Sequence, residues 1–432
     1  MTFRPLLVPA LALSLAGCGV LSAIANLPAP GPTAGMAEGL RIADRHRVTT
    51  LGDRRFNHAD YWRALAPALR SPRLRAEEIG RSMQGRELRA ITFGSGPTTV
   101  LLWSQMHGDE STATMALADI LSWLAASGGD DLRERLGRDL TVVMVPMLNP
   151  DGAERFQREN AAGIDINRDA RALATPEGQA LKSLRDRLRP DFGFNLHDQN
   201  ARTRAGRDGP QAAIALLAPA ADADRTWGPV RGRARLVAAG IAGNLESAIP
   251  GRVAKYDDGF NPRAFGDLMQ AWGTSTVLIE SGALPDDPEK QELRRLNVAA
   301  ILGALDAIAT RSYEGADLTR YERLPFNAGG AYDVLVRGGS LVLPGMPPLR
   351  ADVAINYDDP VERSGGRVRE VGDLSAVVAI DTIEAAGAFL HPRPEALARE
   401  GSRSWLAIGA RAAFELRDGP QVTSRMRQRI DR

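Results

Sequence analysis

Cysteine is almost missing from this chain: Cys18 is the only one in 432 residues, and there are five histidines. A single cysteine excludes any internal disulfide framework. An excess of charge of one sign is missing too. Lys+Arg 54 against Asp+Glu 53 leaves a net charge of +1, which argues against a nucleic-acid or strongly acidic partner. Long apolar runs are also scarce. The run over residues 6–16 is shorter than the roughly 20 residues that a membrane-spanning helix needs. What is present is ordinary for a globular protein, 44% hydrophobic and 25% charged, and the length favours two domains.

The N-terminus reads as an export leader over residues 1–17. Arg4 precedes the apolar run, which ends at Gly17-Cys18. Leu15-Ala16-Gly17-Cys18 resembles the lipobox of bacterial lipoproteins, which implies acylation of Cys18 and a membrane contact through the lipid alone. Gly19 after the cysteine implies the cell envelope, on the periplasmic face of the outer membrane. Residues 18–40, rich in Ala, Pro and Gly, read as a flexible tether.

Residues 41–311 then alternate strands and helices. A helix over 57–69 and a strand–turn–strand over 75–90 come first. Strands follow at 98–106, 141–147, 191–196, 213–217 and 276–279. Helices follow at 112–126, 176–189, 231–247 and 288–310. Several strands are continuous apolar runs, the pattern of a sheet covered on both faces. Residues 312–432 change character: short alternating strands with Gly and Pro between them read as an all-β accessory domain. Tyr332–Val336, Pro347–Ile355, Glu370–Ser375 and Ile383–Gly387 resemble the small β-sandwich of amidohydrolases. In those proteins the stretch leads to a metal-binding His-x-His. Here Phe389-Leu390-His391-Pro392 follows, so the region reads as structural or binding, with His391 a packing or surface residue.

The chemistry centres on Ser104-Gln105-Met106-His107-Gly108-Asp109-Glu110, at the carboxyl end of a strand, where open α/β sheets place their ligands. A His and a Glu three residues apart can turn a nitrogen and a carboxylate toward one point. Phe192-Gly193-Phe194-Asn195-Leu196-His197 is an apolar strand ending in His. His46 and His58 precede the sheet and His391 lies in the β region, which leaves His107 and His197. Two His and one Glu are a catalytic zinc set with a position left for water. Asp198 is either an acceptor supporting His197 or an ordinary loop residue. Arg158 and Arg168 lie in a Gly- and Asn-containing loop, where guanidinium groups suit carboxylates and developing oxyanions, or simply face solvent. Thr276-Val277-Leu278-Ile279-Glu280 is a strand ending in a carboxylate, suited to proton transfer beside a metal-activated water, or to pairing with an arginine.

Together these pieces resemble the zinc carboxypeptidases of the carboxypeptidase A type. The likeness covers about residues 79–282. It rests on Ile79-Gly80-x-Ser82-x-x-Gly85-Arg86, His107-x-x-Glu110, Asn149-Pro150-Asp151-Gly152, Arg158-x-Asn160-x-x-Gly163-x-Asp165-x-Asn167-Arg168, His197 and Glu280. It implies Zn2+ held by His107, Glu110 and His197, with Glu280 as general base and Arg158 as oxyanion donor. It implies Asn167 and Arg168 as a clamp on a substrate carboxylate, with Tyr256 or Phe260 closing on the substrate. It also implies an α/β fold, a mostly parallel mixed sheet with helices on both faces. Asp109 stands where digestive relatives carry an Arg between the ligands, and His-Gly-Asp-Glu resembles relatives that act on cell-wall peptides. The expected function is hydrolysis of a peptide bond near a free carboxyl terminus, on peptides or cell-wall peptides. Alternatives are a murein-peptide amidase or endopeptidase, a deacylase of the aspartoacylase kind, and a non-catalytic binding lipoprotein.

Overall fold

The computed structural model describes residues 33–431. The leader, Cys18 and the first part of the tether lie outside the described residues. The rest of the expected tether is not loose: Ala34–Arg45 is a helix (α1). Thr33 caps it by accepting from the Met36 N–H at 3.2 Å, and Met36, Gly39 and Leu40 are buried. A short amphipathic face was hidden here by Ala- and Gly-rich composition. A Cβ on Gly39 would meet the Ala299 backbone at 2.5 Å, so only glycine lets α1 lie this close to its neighbour.

The main sheet has eight strands: β1 (Leu74–Arg81), β2 (Glu87–Gly94), β3 (Thr98–Ser104), β4 (Leu140–Val145), β5 (Phe192–Asp198), β7 (Ile214–Leu217), β8 (Val253–Lys255) and β9 (Ser275–Ser281). Their order is β1-β2-β4-β3-β5-β9-β7-β8. The central strands β4, β3, β5 and β9 are parallel, while β1, β2 and the β9–β7 pairing are antiparallel. The chain leaves β3 for β4 on one side and later returns to β5 on the other. The crevice at the carboxyl ends of β3 and β5 is therefore a topological switch point, where such sheets bind ligands.

Alternation along β3 explains the two cores. Val100 and Leu102 face α3 (Thr112–Ala125), α7 (Pro229–Ala248) and α9 (Gln291–Ala309). Leu101 and Trp103 face α6 (Pro176–Leu188) and α8 (Phe265–Ala271) through Leu181, Leu184, Phe265 and Met269. Each apolar strand thus buries both faces. Thr175 and Pro176 start α6: the Thr hydroxyl accepts from the Gly178 N–H at 3.1 Å. The helix expected over 57–69 is present but shorter, α2 (His58–Leu65), while α4 (Asp131–Asp139) and the two-turn α8 carry too little apolar periodicity to announce themselves. The short α5 (Pro150–Ala153) is the Asn-Pro-Asp-Gly turn itself.

Residues 312–324 still belong to the first core, with Tyr313, Tyr321 and Leu324 packed into it. The β region beyond has a core of its own, built from Val334, Val336, Val353, Ile355, Leu390, Phe414 and Ile430. It contains a four-stranded sheet, a five-stranded sheet and a hairpin. Strand Arg204–Ala205 (β6) pairs with Asn327–Ala328 (β10) and ties it to the main sheet region. Arg202 adds Nε to Asp333 Oδ2 at 2.9 Å and Nη2 to the Tyr357 carbonyl at 2.7 Å. His391 is buried there with Nε2 3.0 Å from the Gly419 carbonyl, a packing role. No helix among the described residues is long and apolar enough to cross a membrane.

Candidate metal centre

The loop after β3 holds His107 and Glu110, and β5 ends at His197. Their ligand atoms lie within 4.8 Å of one another, and all three residues are buried. Glu110 Oε1 is 2.7 Å from His107 Nδ1, Glu110 Oε2 is 2.7 Å from His197 Nδ1, and the two Nδ1 atoms are 3.2 Å apart. On its far side His107 Nε2 is 3.0 Å from Asp165 Oδ1. A carboxylate there calls for the proton on Nε2, which leaves the Nδ1 lone pair aimed at the centre. In that tautomer the His107 lone pair faces Glu110 Oε1 at 2.7 Å, acceptor against acceptor, a contact that a bound cation or an added proton on the ring relieves. Burial lowers the pKa of His107, but Glu110 and Asp165 together outweigh it and push it up to about 9. His197, more deeply buried, is lowered. Burial acts to raise Glu110, but the two His rings hold it far below the usual carboxylate range. Two imidazole nitrogens and one carboxylate fit zinc.

Backbone contacts make this arrangement rigid. Gly108 lies against Gly152, so close that a Cβ would sit 2.0 Å from the Gly152 carbonyl carbon. Asn149 accepts from the Gly152 N–H at 2.9 Å and donates to the Arg158 carbonyl at 3.1 Å. Asp151 is buried and collects the upstream turn: Ser82 Oγ at 2.7 Å, Gln84 N–H at 2.9 Å and Arg86 Nη1 at 2.7 Å. The two most recognisable turn motifs are therefore the scaffold behind the metal loop.

Arg158 reaches the centre. Its Nη1 is 3.2 Å from both His107 Nδ1 and Glu110 Oε1, and Asp165 Oδ2 anchors its Nε at 3.1 Å and Nη2 at 3.0 Å. Glu280 is the register partner of His197 across β5–β9, so the two side chains leave the sheet on the same face and at the same end. Burial and then the Glu110 charge push the Glu280 carboxyl well above its usual range. Tyr256 packs on Ala205, Ala212, Ala215 and Ala254. Burial, then the Glu280 and Glu110 charges, raise the pKa of its hydroxyl. Asn167 Oδ1 accepts from the Phe265 N–H at 2.9 Å. Arg168 is exposed and donates to the Asn167 carbonyl at 2.8 Å. Phe260 is half-buried.

Asp198 corrects one expectation. Its carboxylate does not support a histidine; Oδ2 accepts from Lys290 Nζ at 2.9 Å and Thr112 Oγ1 at 2.6 Å. Its backbone N–H donates to Glu110 Oε2 at 3.1 Å. The acceptor behind a histidine is Asp165, which lies inside the Asp-x-Asn-Arg stretch and to which the sequence assigned no role. Lys290 was not legible: it stands in a charged run, Asp286-Asp287-Pro288-Glu289-Lys290, at the start of the helix expected over 288–310, where nothing marks its charge as buried.

Residues 60–205 match the family model described as zinc carboxypeptidase. An uncharacterized protein of Zymomonas mobilis is 27% identical over 129 residues, 29% of this chain and 34% of its own length. Carboxypeptidase 2 of Trichophyton tonsurans is 31% identical over 123 residues, 28% of this chain and 22% of its own. The chain thus spans about a third or less of the curated relatives it matches. Among solved structures, a metallo-carboxypeptidase from Burkholderia cenocepacia has a TM-score of 0.47 at 21% identity, covering 59% of this chain and 70% of that one. The matched segment contains His107, Glu110 and His197, so the stretch of this chain that resembles the zinc carboxypeptidase family holds all three converging residues.

Proposed function

We propose that the chain is a metallocarboxypeptidase that cleaves a peptide bond next to a free carboxyl terminus. The observation that supports this most is the convergence of His107, Glu110 and His197 with Arg158 alongside. When zinc is bound by those three residues it supplies a Lewis acid, the chemistry that lets water attack near neutral pH. Glu280 leaves the sheet beside His197 and takes the proton of the attacking water, then delivers it to the departing amine. Its raised pKa suits a group that must both accept and return a proton. Arg158, held by Asp165 from behind, offers Nη1 to the oxygen on which charge develops. The Asn167 amide and the exposed Arg168 guanidinium receive the terminal carboxylate. Tyr256 closes over the substrate.

Cell-wall stem peptides are the substrate class we favour among peptides. Asp109 replaces a cation beside the centre, and an acylated Cys18 would hold the enzyme in the envelope, on the periplasmic face of the outer membrane. The docking of the Ser82–Arg86 turn onto Asp151 supports a peptidase over an aspartoacylase-like deacylase. The test is incubation of the zinc-loaded chain with a mixed peptide and muropeptide pool, read by mass spectrometry. Loss of single C-terminal residues is expected. Release of an acyl group with the peptides untouched would overturn the reading.

A further inference from the structure

Lys290 is strained and buried where a lysine is costly. Its backbone has φ 52° and ψ 31°, the left-handed region that side chains with a Cβ avoid. Its ammonium is withdrawn from water and reaches Asp198 Oδ2 at 2.9 Å. Buried ions are costly unless paired, and an apolar residue of similar size would often be at least as stable. Helix α9, which starts at the next residue, does not need this ammonium. Asp287 already caps it, accepting from the Gln291 N–H at 2.7 Å and the Leu293 N–H at 3.1 Å.

The pair leads instead to the metal centre. Lys290 and Thr112 together fix the Asp198 carboxylate. The Asp198 N–H then holds Glu110 Oε2 at 3.1 Å, the oxygen that meets His197 Nδ1. Asp198 also directly follows His197 on β5. We propose that Lys290 is a positioning residue for the metal centre: through Asp198 it sets the rotation of the Glu110 carboxylate and the end of β5. The inference rests on reading His107, Glu110 and His197 as the zinc site.

The test measures zinc affinity of the full chain by chelator competition, together with the absorption spectrum of the cobalt-substituted protein. Lys290→Met is expected to weaken zinc binding by about 10–100-fold, the usual effect of removing a group behind a metal ligand, and to alter the cobalt bands. Lys290→Gly removes the ammonium while relieving the backbone, so it is expected to fold and to show the same loss. Lys290→Arg keeps a cation and is expected to restore most of the affinity. The double variant Lys290→Met with Asp198→Asn is expected to recover part of the loss, because no unpaired carboxylate remains. Unchanged zinc affinity and cobalt spectrum in both Lys290→Met and Lys290→Gly would overturn the inference, whatever their thermal midpoints. If the unsubstituted chain itself bound no zinc, the zinc reading beneath would fall instead.

Discussion

The carboxyl end of the main sheet and the C-terminal β region both bury polar side chains, but they treat them in opposite ways. In the β region the buried carboxylates and the histidine are paired, though the Tyr357 hydroxyl is not. Asp352 accepts from the Gly338 N–H at 2.7 Å and the Leu374 N–H at 3.1 Å, Asp333 pairs with Arg202 and the Tyr357 N–H, and His391 meets a carbonyl. Such groups hold a fold together and ask for nothing further. At the sheet end, imidazole nitrogens face one another and a carboxylate at 2.7–3.2 Å, and Glu280 is held far from its ordinary pKa. Packing alone would not select acceptors that face acceptors. The contrast teaches that the centre is organised for an ion and a substrate, whereas the β region is organised for stability.

The largest effect should come from His197→Ala. Loss of one ligand of three should take bound zinc close to nothing and remove activity; metal analysis showing full zinc would break the contrast at its root. Glu280→Gln keeps size and removes the base, so turnover should fall by about 10²–10⁴-fold with zinc retained. Arg158→Ala should lower kcat by about 10²–10³-fold, the usual effect of removing one oxyanion donor, and a change confined to KM would argue against that role.

Removing zinc gives a pH test. In the metal-free protein His107 has its pKa raised from 6.5 to about 9. A raised histidine pKa stabilises the fold fully below the unfolded value and loses that contribution as pH rises through the folded one. Thermal midpoints of the zinc-free chain should therefore decline between about pH 6.5 and 9. The zinc-loaded chain should resist that decline, because binding needs the deprotonated ring. Smallest of all, His391→Gln should cost about 1 kcal/mol, one neutral hydrogen bond, with zinc content and turnover unchanged. A loss of zinc there would mean that the two regions are not energetically separate.

The candidate ligands were readable because His107 and Glu110 share a short spacing just past one apolar strand and His197 ends another. The helices α1, α4 and α8 were not readable, since short elements with weak periodicity take their stability from neighbours supplied by distant sequence. The same limit hid the buried pair of Asp119 with Arg294, whose Nε lies 2.6 Å from Oδ2 and joins α3 to α9 across 175 residues. Asp198 shows the limit most sharply: its place after His197 suggested a supporting acceptor, and only packing revealed that its carboxylate turns to Lys290 and Thr112.

By itself the sequence determined the chemistry available at the centre, because residue type and local spacing fix which atoms can reach the end of a strand. It determined the parallel sheet too, through runs of apolar residues that must be covered on both faces. Tertiary structure alone decided what stands behind those atoms: which carboxylate orients His107, which cation settles Asp198, and how the β region is fastened to the loop after β5. Those contacts join residues 58 to 155 positions apart, and no local pattern encodes a partner that only folding brings within 3 Å.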